Sequence, residues 1–297
     1  MPFETLTQSQ VDFYAREGYL VVENRIPGDV LDAVRKEIRR FIEEARGMTE
    51  SNARIDLEDS HRPEAPRVRR IKLPHTLSDV FANLMRSDHI LAPVRDLIGP
   101  DLRLHTSKLN MKSAEYGAAV EWHQDWAFYP HTNDDVLAVG VIIDDILEEN
   151  GPLMVFPGSH KGEVFDHHSS GYFCGAMDLG ACGLDMKDAV KLMGPAGSLS
   201  IHHGRIVHGS GLNRSDRDRR LLFYEITAAD AFPICGTMSK FGSLEEYDER
   251  LLCGDSTNIA RLTAVPARLP QPQPPTVGSI YEIQKQLKAR SFETHSM

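Results

Sequence analysis

The sequence predicts a mainly β protein with helices packed against it, an α+β organisation, and three observations carry that expectation. Apolar residues recur at helical intervals through the first hundred positions, short β-branched runs replace them from Leu102 onward, and no repeat or composition break divides the chain. One domain over residues 1–297 is expected, with a mainly helical part at 1–100, a strand-rich core at 101–230 interrupted by an insertion at 161–195, and an extension at 231–297.

Thr7-Gln8-Ser9-Gln10 has the form of a capping box, opening a short helix through Val11-Asp12-Phe13-Tyr14 that Gly18 ends. Tyr19-Leu20-Val21-Val22 is short and apolar and reads as a strand, and Pro27-Gly28 marks the turn after it. Asp29 is placed to cap the next helix, where Leu31, Val34, Ile38, Phe41 and Ala45 build one apolar stripe that should pack on a sheet. Residues 46–75 are charged and show no period, whereas Leu77 to Ile98 carries two shorter helices separated near Arg86-Ser87-Asp88.

Strands are expected at Leu102–Asn110, Val136–Ile143, Leu153–Phe156, Ser198–His203 and Leu221–Thr227. The insertion at 161–195 is rich in Gly, His and Asp; its Tyr172-Phe173-Cys174-Gly175 stretch is expected to be mobile, as in a lid or binding loop. Pro266 to Pro275 is a proline-rich connector, and Ile280 to Ala289 reads as a closing helix that docks on its own core or on a neighbour.

The net charge of −10 and pI ≈ 5.7 argue against a nucleic-acid partner and against affinity for anionic membranes, because both need a clustered basic surface. No apolar run approaches the roughly 20 residues that cross a bilayer, and Met1-Pro2-Phe3-Glu4 lacks the basic and apolar stretches of a signal peptide. Cys174, Cys182, Cys235 and Cys253 form no Cys-x-x-Cys pair, so reduced thiols and a cytoplasmic location are expected. Oligomeric state is not legible.

The chemistry starts at His123-Gln124-Asp125. On extended backbone, side chains two apart share a face, so His123 and Asp125 can converge on one ion while Gln124 points away. With 13 histidines, one His-x-Asp arises about once by chance, and the tripeptide gains weight only from partners further along the chain. His208 enters a glycine-rich turn, His208-Gly209-Ser210-Gly211, and supplies a third ligand; His167, His168, His202 and His203 are read as ordinary core or surface histidines. Arg219 and Arg220 then enter the apolar run Leu221-Leu222-Phe223-Tyr224 on opposite faces, so at most one points inward. Two imidazoles, a carboxylate and a cation are what a mononuclear non-haem iron(II) oxygenase needs to hold its metal and an acidic cosubstrate.

Several separate motifs, in order and spacing, resemble the phytanoyl-CoA dioxygenase-like family of Fe(II)/2-oxoglutarate-dependent oxygenases across roughly residues 7–230. They are Trp122-His123-Gln124-Asp125, Glu149-Asn150-Gly151-Pro152-Leu153, Phe156-Pro157-Gly158-Ser159-His160-Lys161-Gly162, and His208-Gly209-Ser210-Gly211-Leu212-Asn213 with Arg219. The resemblance implies a double-stranded β-helix, or jelly roll, with the N-terminal helices on one sheet. It places His123, Asp125 and His208 as ligands of Fe(II) and as the catalytic metal centre, and Arg219 on the distal carboxylate of 2-oxoglutarate. It also suggests Asn110 and Lys108 as cosubstrate contacts; the Pro-Gly-Ser-His segment ending in His160, a hallmark of the family, is read as a turn that shapes the rim. Gly140 departs from relatives that carry an aromatic residue there, so that part of the pocket is filled differently or left open.

The implied activity uses O2 and 2-oxoglutarate to hydroxylate an unactivated C–H of a small molecule, releasing succinate and CO2. Asp125 counts against halogenation, since related halogenases lack this carboxylate. For the substrate, Trp126, Phe128 and Tyr129 are candidates to line the pocket mouth, and Lys108, Lys112 and Arg205 to meet an anionic substrate such as a carboxylate, phosphonate or acyl thioester. Two other readings compete: a protein-modifying oxygenase of the same superfamily, and a non-catalytic jelly-roll module that keeps a metal for structure. The acidic charge and the lack of an appended reader module disfavour the former, and a cosubstrate clamp has no use in the latter.

Overall fold

Local hydrogen bonding fixes the first elements. The Thr7 hydroxyl accepts from the Gln10 amide and the Gln10 side chain accepts from the Thr7 amide, opening α1 (Gln8–Glu17), which Gly18 ends with a left-handed φ of 80°. The computed structural model, which describes residues 3–115, 117–275 and 278–292, continues through β1 (Tyr19–Val22) into α2 (Gly28–Glu44). The helix begins at Gly28 with Pro27 as its cap, so Asp29 sits in the first turn beside the positive end of the helix instead of capping it. Leu31, Val34, Ile38, Phe41 and Ala45 are all buried, as their spacing requires.

The charged stretch after α2 is not structureless: it forms β2 (Ile55–Leu57) and β3 (Val68–Lys72), so the first hundred residues mix helix and strand. α3 (Asp79–Met85), whose Ser78 hydroxyl caps it by accepting from the Val80 amide, and α4 (Asp88–Ile98) follow. The core strands are β4 (Leu102–Lys112), β5 (Val120–His123), β6 (Val136–Ile142) and β7 (Leu153–Val155). The supposed insertion holds the hairpin β8 (His168–Ser169) and β9 (Tyr172–Phe173), and then β10 (Val190–Leu192). After it come β11 (Leu199–His203), β12 (His208–Ser210), β13 (Arg219–Ala228), α5 (Leu244–Glu249) and β14 (Leu251–Cys253). The closing helix is shorter than its pattern suggests: α6 spans Ile280–Ile283 and tightens into a 3-10 turn at Gln284–Gln286.

Two antiparallel sheets result. The larger runs β1-β11-β6-β13-β4-β3-β2, with β14 also on β4, and the smaller runs β10-β7-β12-β5. Side chains of α2, α3 and α4 share one buried cluster with Leu109, Val139, Val141, Leu199, Ile201, Leu222 and Tyr224 on one face of the large sheet. The alternate positions on the same strands, Ala138, Ile142, Leu221 and Phe223, form a second cluster with Leu153 and Val155 of the small sheet. The space between the sheets therefore receives Lys108, Asn110 and Lys112 of β4, past the bulge that shifts its parity, and the odd positions of β13, and the polar residues among these shape the site.

The Tyr172–Gly175 stretch is packed, with Phe173 and Cys174 buried and the Met177 amide donating to the Trp122 carbonyl, contrary to the mobile loop its composition suggested. Nor does the turn ending in His160 form a rim: His160 is buried against α1, so close that a Cβ on Gly18 would lie 2.4 Å from its Nδ1. All four cysteines are free thiols.

Candidate active site

β5 ends at His123, and Asp125 opens a short 3-10 turn instead of continuing the strand. The alternation still holds, because Gln124 between them is extended at φ −117° and ψ 127°. Its amide side chain is spent on the opposite side, donating to the carbonyls of Glu163 and Arg205. His208 opens β12 directly opposite His123 in the antiparallel register. His123 Nε2 lies 3.7 Å from Asp125 Oδ1 and His208 Nε2 lies 3.8 Å from Asp125 Oδ2, and one ligand atom from each of the three falls within 4.8 Å of the others.

Second contacts fix the tautomers. The Nδ1 of His123 meets the Glu121 carbonyl at 2.8 Å and that of His208 meets the Ile206 carbonyl at 3.0 Å, so each Nδ1 is the N–H donor and each Nε2 keeps its lone pair for the centre. Burial pushes His123 down to about 4 and His208 well below the usual imidazole range, leaving both neutral near neutral pH. Burial alone would raise the Asp125 carboxyl, but Lys108 and the surrounding imidazoles hold it well below the usual range. Two neutral imidazoles and one carboxylate on one side of a shared point suit Fe(II), and the unpartnered, buried Asp125 Oδ2 is an acceptor that such an ion would satisfy.

His202, read from sequence as an ordinary core residue, belongs to this centre. It is 1% exposed, its ring lies 4.5 Å from that of His208, and its Nε2 is 3.4 Å from Asp125 Oδ2. Strand alternation puts His202 and His203 on opposite faces, and the pairing of β11 decides between them: His202 lies opposite Ala138 of the inner face and His203 turns outward towards Tyr14 and His160. His167 also supports the site, with Nε2 accepting from the Gln124 amide, whereas His168 pairs with Asp166 away from it.

A narrow chamber runs from the triad to Arg219, lined by Asn110, Lys112, Ser210, Leu221 and Phe223, with Ile280 and Tyr281 across it. Arg219 is 2% exposed; it donates to the Gly151 carbonyl, and its Nε has no partner. Burial lowers it to about 10, so it stays cationic. Arg220 faces the other way and pairs with Asp144 at 2.5 Å. Asn110 Oδ1 is also buried and unpartnered. The orphaned Arg219 N–H fits a ligand carboxylate, whereas the orphaned Asn110 oxygen calls for a hydrogen-bond donor. The place of an aromatic side chain at Gly140 is filled from the two flanking strands: a Cβ there would lie 2.9 Å from Phe223 Cε1 and 2.6 Å from Ser200 Oγ.

Beyond the triad opens a cleft of ≈ 960 Å³, lined by Lys108, Asp125, Phe128, Tyr129, Phe173, Glu225, Arg70 and Lys72 among others. Lys108 Nζ is 2.5 Å from Glu225 and 3.9 Å from Asp125, so it faces this cleft as well as the chamber. Glu225, 1% exposed, is a site residue that the sequence reading passed over, although a lone acid in an apolar strand at the parity of Arg219 is a usable signal.

Several candidates are placed elsewhere. Lys112 gives its ammonium to the carbonyls of Ala118, Ser210 and Gly211, so it is a buried brace with no donor left for substrate. Arg205 pairs with Asp134 at 2.8 Å and donates to the Gly162 carbonyl, outside the cavities. Trp126 is fully buried with its indole N–H donating to the Pro266 carbonyl; it is core packing. Phe128 does reach the cleft, edge-on to His123 at 5.9 Å, and Tyr129 lines it while packing 4.3 Å from His105.

A family model for phytanoyl-CoA dioxygenase matches residues 14–221. A probable alpha-ketoglutarate-dependent hypophosphite dioxygenase from Stutzerimonas stutzeri is 35% identical over 283 residues, covering 94% of this chain and 97% of that protein. An L-proline trans-4-hydroxylase from Streptomyces griseoviridis is 29% identical over 244 residues, covering 74% of this chain and 87% of that one. An ectoine dioxygenase from Bordetella parapertussis is 29% identical over 238 residues, 74% of this chain and 75% of that one. The crystal structure of EctD from S. alaskensis with bound Fe shares the jelly-roll fold, at a TM-score of 0.62, 23% identity, and coverage of 75% of this chain and 77% of that one. The family match across more than half the sequence and the full-length relative meet in the His-Asp-His centre: the chain belongs to the phytanoyl-CoA dioxygenase family and is an Fe(II)- and 2-oxoglutarate-dependent dioxygenase acting on a small molecule.

Proposed function

We propose that this dioxygenase hydroxylates a small organic anion, a carboxylate or phosphonate held in the ≈ 960 Å³ cleft, and the cleft's charge carries the reading. Arg70, Lys72, Lys108 and Lys240 line it against only Asp125 and Glu225, and Asp125 is committed to the metal. Asp56 offsets part of this excess from behind, 3.0 Å from Arg70 and 2.7 Å from Lys72. Phe128, Tyr129 and Phe173 give the same cleft an apolar wall suited to a carbon skeleton.

His123 and His208 hold the iron through Nε2 and Asp125 through its carboxylate, while Arg219 anchors the distal carboxylate of 2-oxoglutarate by a charge-assisted pair, with Asn110 beside it on the chamber wall. When bound, the metal and cosubstrate supply the oxidation of substrate by O2 with release of succinate and CO2. His202 packs its ring beside that of His208, the Glu121 and Ile206 carbonyls keep the ligand imidazoles in the binding tautomer, and the apolar strands around the triad exclude water. Lys108 acts on the substrate side, since Glu225 turns its ammonium into the cleft.

A second reading is hypophosphite itself, favoured by the full-length likeness to the relative named for that anion. A cleft of this size exceeds what so small an ion fills, which favours the organic anion. Succinate release measured across phosphonates, carboxylates, hypophosphite, L-proline and ectoine decides. Stimulation by an organic anion is expected; hypophosphite alone selects the second reading, and stimulation only by the net-neutral zwitterions L-proline and ectoine overturns both.

A further inference from the structure

Residues 278–292 lie beyond the 14–221 stretch that the family model matches, yet they border three cavities. Ser279, Ile280 and Ile283 line the substrate cleft. Ile280 and Tyr281 close the narrow chamber that also holds Arg219, His123 and His208. On the far side, Tyr281, Gln284 and Lys285 face a separate cleft of ≈ 830 Å³. A segment of this length is thus the partition between the chamber and both outer spaces.

Its anchors converge on the residues that precede the iron ligand His123. Gln284, 4% exposed, accepts from the Glu121 amide at 2.9 Å and donates to the Gly175 carbonyl at 2.8 Å. The Glu121 carboxylate accepts from the Ser291 amide at 2.9 Å, and the Phe292 ring stacks on Trp122 at 5.5 Å. Arg69 clamps the near end, 2.9 Å from Glu282 and with its guanidinium 4.6 Å over the Tyr281 ring. Tyr281 is 5% exposed and shares the chamber wall with Arg219, whose Nε lacks a partner. Buried Tyr281, Ile283, Gln284 and Leu287 make this a fitted part of the site.

We infer that residues 279–292 form a strap that completes the cosubstrate chamber, with Tyr281 a positioning residue for the dicarboxylate held at Arg219. The inference rests on the assignment of Arg219 as the cosubstrate anchor and is independent of the substrate's identity. A phenol on the same chamber wall as the guanidinium offers a donor for a carboxylate oxygen, and the Ile280 side chain keeps water away, which strengthens the ion pair. Because the strap touches Glu121 and Trp122, its seating also constrains the strand that delivers His123.

Anaerobic titration of the Fe(II)-loaded full-length protein with 2-oxoglutarate, followed by the visible charge-transfer absorbance, reads cosubstrate affinity without turnover. Tyr281→Ala is expected to weaken that affinity about tenfold, roughly 1.4 kcal/mol, with Fe(II) affinity unchanged. Cosubstrate is expected to slow tryptic cleavage of the parent at Lys285, Lys288 and Arg290. If Arg219→Ala weakens binding but Tyr281→Ala does not, the strap inference fails alone; if Arg219→Ala binds normally, the anchor fails and the strap inference with it. Should Tyr281→Ala not fold by circular dichroism, Tyr281→Phe and the protease protection decide, and absence of protection overturns the inference.

Discussion

The two ends of the inner face of β13 handle charge in opposite ways. At Arg219 the chamber is narrow and walled by Tyr281, and its cations rest on fixed backbone carbonyls: Gly151 for Arg219, and Ala118, Ser210 and Gly211 for Lys112. Six residues along, about 20 Å of extended strand, Glu225 faces an open cleft where charges are paired with other side chains, Lys108 with Glu225 and Arg70 and Lys72 with Asp56. A backbone carbonyl cannot rotate away on its own, whereas a side-chain partner can rotate and be replaced by a ligand. The first arrangement suits an invariant cosubstrate, and the second suits the variable substrate of a versatile fold.

The largest test removes what the two ends share. Asp125→Ala should abolish turnover at either end's saturation and lower Fe(II) affinity by more than about 100-fold, since even outer partners of ligands are worth 10–100-fold; metal retention after dialysis and succinate release check it. Retained turnover would overturn the ligand assignment and with it the idea that one centre serves both ends.

A second test separates the ends. Lys108→Ala leaves Glu225 buried without its cation, which should cost about 3 kcal/mol of stability and raise the substrate KM while 2-oxoglutarate affinity stays near that of the parent. Glu225→Gln in the same background should recover most of the lost stability, because the uncompensated charge is gone. Thermal melts and separate titrations of the two ligands report these effects, and a large loss of 2-oxoglutarate affinity in Lys108→Ala would move Lys108 back to the cosubstrate side.

The smallest effect is on pH dependence. Burial depresses His123 and His131 to about 4 and His167 and His203 to about 3, whereas the unfolded chain titrates near 6.5. Between those values the unfolded chain binds more protons, so this contribution to stability is full above about pH 6.5 and is lost as pH falls towards 3. Metal-free protein should melt several degrees lower at pH 5 than at pH 7; an unchanged melting temperature would mean these imidazoles are more hydrated than their burial implies.

Local pattern makes much of the molecule legible. The Thr7–Gln10 box, the α2 stripe and the core strands follow from short-range periodicity, and Arg219 can be separated from Arg220 by the alternation of a strand. Inference fails where it depends on a partner distant in sequence. Strands β2 and β3 are charged because Asp56, Arg70 and Lys72 pair with one another at the cleft, so no apolar signal announces them. Lys112 and Arg205 look like free charges in the sequence, yet remote loops contribute the carbonyls and carboxylate that consume them. His202 is indistinguishable there from His203, because residue type alone cannot say which of two neighbours faces inward.

By itself, then, the sequence determined the chemistry: two imidazoles, one carboxylate and an arginine whose identities admit Fe(II) and a dicarboxylate, carried on elements whose periodicity is local. Only the tertiary structure decided which charges are free to meet a ligand and which are consumed, and that residues 278–292 return across the barrel to wall the chamber. Ligand type is a property of a single side chain, but solvation, pairing and enclosure belong to segments brought together from opposite ends of the chain.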